Sequence, residues 1–246
     1  HDDRTSQWGE LIAESLHAKH MCFICNERFR GIRKFYKPNL PFYRFKLLRK
    51  ELAGIKEDSL VKLFEGYYEV KRNEKYAFTA ACDDQVQDVS NVRLENICEA
   101  DYRIGYVGRL EKGYVPNILK GVAQFAKCHR SSSIQLLLVG DDDRADRVIR
   151  SIFQLIDNIE IIRLGSTVPI PRKLFQVLDV VIAGSGSALC SAREGIPVVV
   201  ADANNYLANG VLGVDTFNAL YCEDAGIQKT FSEYLELVLI KKEYAK

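Results

Sequence analysis

Two short segments of this chain hold the residue types that bind negative charge. The first, Gly108-Arg109-Leu110-Glu111-Lys112, directly follows the apolar run at 102–107. A guanidinium and an ammonium within a few residues, beside a glycine that lets backbone approach closely, suit an anionic ligand. The same residues also suit a solvated turn in which Glu111 and Lys112 form a surface pair of little energetic weight. The second segment, Gly184-Ser185-Gly186-Ser187, joins the apolar run Val180-Val181-Ile182 to a helical stretch over 187–194 that ends at Gly195. Unpaired amides and the dipole at a helix N-terminus attract anions. The glycines remove Cβ atoms that would block a ligand, and Ser185 or Ser187 can cap the helix or bond a phosphate oxygen. A serine-capped turn, with glycines needed only for tight geometry, accounts for the same letters. The spacing is not that of a P-loop. The two segments gain weight together, because both follow apolar strands.

Other reactive residues point to structure. Of the four histidines, His1, His17, His20 and His129, none has metal-ligand spacing on one face, and His17 and His20 are expected to be solvent-facing or capping at a helix end. Asp141-Asp142-Asp143-Arg144, after Gly140, has carboxylates enough for a metal, but acidic residues opening a helix answer to the dipole, and no metal is expected. The seven cysteines are odd in number and scattered through apolar stretches, as reduced thiols would be. Cys22 and Cys25 form a lone C-x-x-C inside a strand-like run, where an offset of three sends the side chains to opposite faces.

The elements that must position the two segments repeat regularly from residue 102. Strand-like runs at 102–108, 134–140, 159–165, 179–184 and 197–202 alternate with helical patterns at 115–130, 143–157, 171–178 and 187–194. A loop, a short apolar run and an amphipathic helix over 227–243 follow. Continuous apolar strands separated by helices predict a doubly wound parallel sheet, whose ligands bind at the carboxyl ends of its strands. Residues 1–100 show fewer strands. Helical patterns at 7–20, 44–54 and 57–70 surround strands at 21–27 and 76–82, which suits the later half of a second α/β domain. Polar, aperiodic residues 84–101 connect the two, giving domains over 1–95 and 96–246.

A net charge of +1, from 34 basic and 33 acidic residues, gives no field to recruit nucleic acid, and none is expected as a partner. No apolar run approaches the ~20 residues of a membrane span, so a cytoplasmic location is expected. Aromatic and basic residues over 28–49, among them Arg28, Phe29, Arg33, Tyr36, Phe42 and Tyr43, suit either packing on their own domain or peripheral contact with a lipid-linked acceptor or the inner membrane. The chain opens on His1 rather than Met, which reads as an N-terminal truncation.

The segments "IGYVGRLEKGYVPNILKGVAQF", "LLLVGDDD", "IEIIRLG" and "DVVIAGSGSALCSAREGIPVVVAD" resemble, in order and spacing, the nucleotide-sugar-binding domain of GT-B glycosyltransferases, above all family four and the glycogen-synthase-like group. The likeness covers 102 to about 222; the N-terminal part resembles the later half of the acceptor domain, with residues 1–27 similar to the segment that carries a histidine-aspartate at a strand end, then a helix and the next strand. It implies metal-independent, retaining transfer of a hexose from a nucleoside-diphosphate sugar, the donor substrate, to a glycan, lipid-linked or small-molecule acceptor in polysaccharide assembly. No cofactor is implied. Carried over, Arg109 and Lys112 neutralise the departing diphosphate, with Gly108 beside them. Gly184, Ser185, Gly186 and Ser187 lie against the distal phosphate or the sugar, Gly165 and Val168 meet the base, and His1 faces the sugar or acceptor. The family's two glutamates around the fourth strand–helix turn correspond here to Ala183 and Cys190, which leaves Glu194 to take part of that role. The loop G-S-G-S-A also resembles related lipid-linked N-acetylglucosaminyltransferases and sugar 2-epimerases. The alternatives are thus a GT-B epimerase or phosphorylase, or a non-catalytic GT-B module that binds a glycan or a partner.

Overall fold

The computed structural model describes residues 3–24, 39–54, 59–71, 77, 85–90, 94, 97–142, 145–220, 222 and 225–244. The chain forms two compact units, His1–Ala81 and Cys82–Lys246.

In the first unit, helix α1 (Asp3–Ser15) precedes strand β1 (Cys22–Ile24), and helix α2 (Leu40–Leu48) precedes strand β2 (Leu52–Gly54) and helix α3 (Ser59–Phe64). The expected helix over 44–54 therefore ends early. Lys50 takes a left-handed φ of 58°, which turns the chain, and Leu52–Gly54 pair in parallel with Cys22–Ile24. Ala77, in the run expected as a strand, bridges Gly54. Cys22, Ile24, Leu40, Tyr43, Leu52, Leu60 and Phe64 form the core. Tyr43 thus packs inside its own unit, whereas residues 28–38 of the basic aromatic segment, and Cys25, lie outside the described residues.

Beneath α1 and α2 lies a buried ionic cluster. The fully buried ammonium of Lys46 is 2.5 Å from carboxylate oxygens of both Glu10 and Glu51. Arg49 reaches the same two carboxylates at 3.2 and 3.1 Å. His20 Nδ1 lies 3.2 Å from Glu10, so this histidine is neither solvent-facing nor a cap. Burial of two acids is tolerated because each has a cation within contact distance.

The second unit runs β3 (Val86–Gln87), β4 (Tyr102–Val107), α4 (Val115–Cys128), β5 (Ile134–Val139), α5 (Ala145–Phe153), β6 (Ile159–Gly165), β7 (Ile170–Pro171), α6 (Arg172–Val177), β8 (Val180–Ala183), α7 (Gly186–Arg193), β9 (Val198–Ala201), β10 (Ala208–Val211) and α8 (Phe231–Leu235), which continues as a π-helical turn over Glu236–Ile240. β3 pairs in parallel with β7, so residues expected in the connection belong to this unit, and the division falls after Ala81 instead of at 95/96.

The six-stranded sheet has the order β10-β9-β8-β4-β5-β6, parallel throughout except for β10. Ile104, Tyr106, Leu136, Leu138, Val180 and Ile182 face one core, with α4, α5 and α8. Their alternates Val107, Leu137, Val139, Val181 and Ala183 face the other, with α6 and α7. Burial of both faces explains the unbroken apolar runs. Two further elements depart from expectation. β10 (Ala-Asn-Gly-Val) lies in a stretch read as loop, because Asn209 and Gly210 hide the strand pattern. The last helix starts only at Phe231, where the Thr230–Glu233 capping box supplies its N-terminal hydrogen bonds.

Candidate functional site

The chain lays β5 and β6 on one side of β4, then returns to place β8 on the other. Such a reversal opens a crevice at the carboxyl ends of the two strands. Val107 pairs with Ala183, so β4 and β8 finish together, about 4.8 Å apart. Gly108-Arg109 and Gly184-Ser185 consequently leave the sheet as neighbours. A cleft of about 490 Å³ lies there, lined by Gly108, Arg109 and Lys112 from one segment and by Gly184, Ser185, Gly186 and Ser187 from the other. Val168 lines its third side with Ser166 and Thr167.

Backbone geometry holds the cleft open. The Gly108 amide donates to the Val139 carbonyl at 2.9 Å, and the Gly140 amide donates to Gly165 at 2.8 Å, lacing together the ends of β4, β5 and β6. A Cβ on Gly140 would overlap the Gly108 carbonyl oxygen, and its φ of 145° suits glycine alone. At Gly184 a Cβ would stand 3.1 Å from the Tyr114 hydroxyl and 3.3 Å from the Ala201 carbonyl, so tight packing accounts for that glycine. Ser185 is the N-cap of α7 with φ 60° and ψ −137°, and it makes no side-chain capping bond. Its own amide donates to the Ala219 carbonyl at 2.6 Å. The opening amides of α7, at Gly186 and Ser187, have no earlier turn to bond and belong to residues lining the cleft.

The charged groups are more balanced than the sequence suggests. Arg109 pairs with Glu111 at 3.1 Å, in place of the expected Glu111–Lys112 pair, and the Arg109 side chain is 74% exposed. The Lys112 ammonium sits 5.6 Å from the centre of the Tyr114 ring. Glu111 and Asp141 also line the cleft, and Asp141 lies 3.6 Å from Arg163. Two carboxylates thus line the cleft beside two cations, with Glu111 paired to Arg109 and Asp141 to Arg163. Below, the Tyr106 hydroxyl donates to the Arg109 carbonyl at 2.9 Å and fixes this turn. Burial, with Tyr114 adjoining, pushes the Tyr106 phenol far above its ordinary range, so it remains a donor at any physiological pH.

Two expected site residues stand elsewhere, and a third is not described. Gly165 ends β6 and gives its carbonyl to Gly140 without lining the cleft. Glu194 is the C-cap of α7, at the end of the helix away from the cleft, and pairs with Arg172 at 3.5 Å. His1 lies outside the described residues. Sequence reasoning missed Gln85, Gly140, Asp141, Ser166 and Thr167 as cleft residues. A strand followed by glycine, the signal used at Gly108, marks Gly140 too; Gln85 has no local signal. Among the described residues no group of histidine, cysteine and carboxylate side chains is placed to hold a metal, and no helix is long and apolar enough to cross a membrane.

No known protein-family profile matches the chain, and no curated protein sequence matches it. Solved structures do. The UDP-GlcNAc 2-epimerase of Methanocaldococcus jannaschii, in complex with UDP-GlcNAc and UDP, is 14% identical with a TM-score of 0.51, over 100% of this chain and 67% of that one. S. aureus MnaA, in complex with UDP, is 12% identical with a TM-score of 0.51, over 98% and 72%. Anabaena HepE, in complex with UDP and glucose, is 15% identical with a TM-score of 0.54, over 96% and 66%. The chain spans about two thirds of the length of these proteins. At such identities the likeness defines the fold: this is an α/β chain of the GT-B type, its later unit a doubly wound, mostly parallel sheet.

Proposed function

We propose that the cleft binds the diphosphate of a nucleoside-diphosphate sugar, a uridine nucleotide in first place, and that the protein transfers the sugar to a glycan or lipid-linked acceptor. The observation that carries this reading is the Val107–Ala183 register, which sets Arg109 and the opening amides of α7 on one cleft. Solved structures of the same fold hold UDP, which supports the choice of base.

In this reading the α7 amides take the distal phosphate and Ser166 to Val168 flank the base. Breaking the bond between the anomeric carbon and the phosphate oxygen leaves the electron pair on the diphosphate, while the acceptor hydroxyl oxygen bonds that carbon with retained configuration and passes its proton to the departing phosphate oxygen. Arg109, released from Glu111, and Lys112 stabilise the developing charge as fixed cations do. Arg109→Ala is expected to lower kcat about 100-fold or more, measured as nucleoside diphosphate released with acceptor present. A change below threefold contradicts the assignment.

A second reading, 2-epimerisation of the UDP-sugar in the same cleft, gains support from the match of this whole chain to 67% of a UDP-GlcNAc 2-epimerase. Product analysis separates the two: transfer yields free UDP and a glycosylated acceptor, whereas epimerisation returns an isomeric UDP-sugar.

A further inference from the structure

Gln85 lines the cleft, yet it belongs to neither anion-binding segment. It reaches the cleft because its carbonyl accepts the Ile170 amide at 2.7 Å, where β3 and β7 pair. Its side chain is held from below. Cys190, 1% exposed on the second turn of α7, directs its thiol to Gln85 Oε1 at 3.1 Å. The thiol donates and the amide oxygen accepts. One lone pair of the amide oxygen is thereby used, and the amide nitrogen, a donor only, can give a hydrogen bond to a ligand. Gln85 stands beside Ile170 and lines the same cleft as Val168.

We infer that Gln85, oriented by Cys190, is a specificity residue that donates a hydrogen bond to an oxygen of the nucleoside half of the ligand, a ribose hydroxyl in first place. The inference rests on the proposed nucleotide site. A diphosphate on Gly186, Ser187 and Arg109 leaves its nucleoside toward the Val168–Ile170 wall, where Gln85 sits. Cys190 is a positioning residue: it touches no ligand and acts through the amide.

Calorimetric titration of UDP and of inorganic pyrophosphate tests this. Gln85→Ala, an exposed-site change that leaves the core intact, is expected to weaken UDP about two- to tenfold and leave pyrophosphate unchanged, as for loss of one neutral hydrogen bond. Cys190→Ala is expected to weaken UDP by a smaller factor, and Cys190→Ser, which keeps a donor, to restore it. UDP affinity unchanged in Gln85→Ala, or pyrophosphate weakened as much as UDP, overturns the inference and spares the nucleotide site. Unaltered protein that binds neither compound overturns both.

Discussion

Ser185 is the residue where function and stability pull apart. A non-glycine residue at φ 60°, ψ −137° carries about 1–3 kcal/mol of backbone strain. Ser185→Gly relieves that strain, less the ~0.5–1 kcal/mol of chain freedom that glycine adds to the unfolded state. The variant is expected to be about 1 kcal/mol more stable in chemical denaturation and to bind UDP more weakly, having lost its hydroxyl. Glu111 makes the opposite test. It holds Arg109 in a largely exposed pair of the kind worth ~0.2–1 kcal/mol. Glu111→Gln is expected to tighten UDP by up to about fivefold, and weaker binding would show that the carboxylate belongs to the site. At this scale Arg109, Lys112 and the Gly-Ser turn were legible, because strand end, charge and glycine are adjacent in sequence. The exchange of Lys112 for Arg109 as Glu111's partner was not legible, since side-chain reach decides it. Gln85 was hidden for another reason: only the distant β3–β7 pairing brings it to the cleft.

Among the elements, α1 and α2 depend on one buried cation. Lys46→Met would leave Glu10 and Glu51 buried with only Arg49 and His20 nearby, and is expected to destabilise the first unit by about 3–5 kcal/mol in denaturant titration. Both carboxyls are held below the ordinary acid range. Burial raises that of Glu10, but Lys46, His20 and Arg49 together outweigh it; for Glu51 the Lys46 hydrogen bond leads over burial. Because the folded values lie below the unfolded ones, this stabilisation is complete above the ordinary carboxylate value of 4.5 and is lost as pH falls through the depressed values. Acid unfolding below about pH 4.5 is expected to be steeper in the unaltered protein than in Lys46→Met. Equal slopes would mean the cluster does not titrate with folding. Elements with strong periodicity, such as α4 and β5, follow directly from their letters. β2 and β10 do not: each is a short run whose identity comes from the strand beside it, Cys22–Ile24 or Val198–Ala201.

For the molecule as a whole, the doubly wound sheet was legible because each central strand is apolar on both faces, which only helices on both sides explain. The order of its strands was not, and that order makes the site. Had β8 followed β6 on the same side, two strands would separate Arg109 from Ser185. The direct test is calorimetric titration of UDP into the unaltered protein and into Arg109→Ala. The expected result is saturable binding that weakens about tenfold or more in the variant, in keeping with a charged hydrogen bond of ~1.5–3 kcal/mol. Equal affinity in both proteins, or no heat in either, would contradict a diphosphate site between β4 and β8.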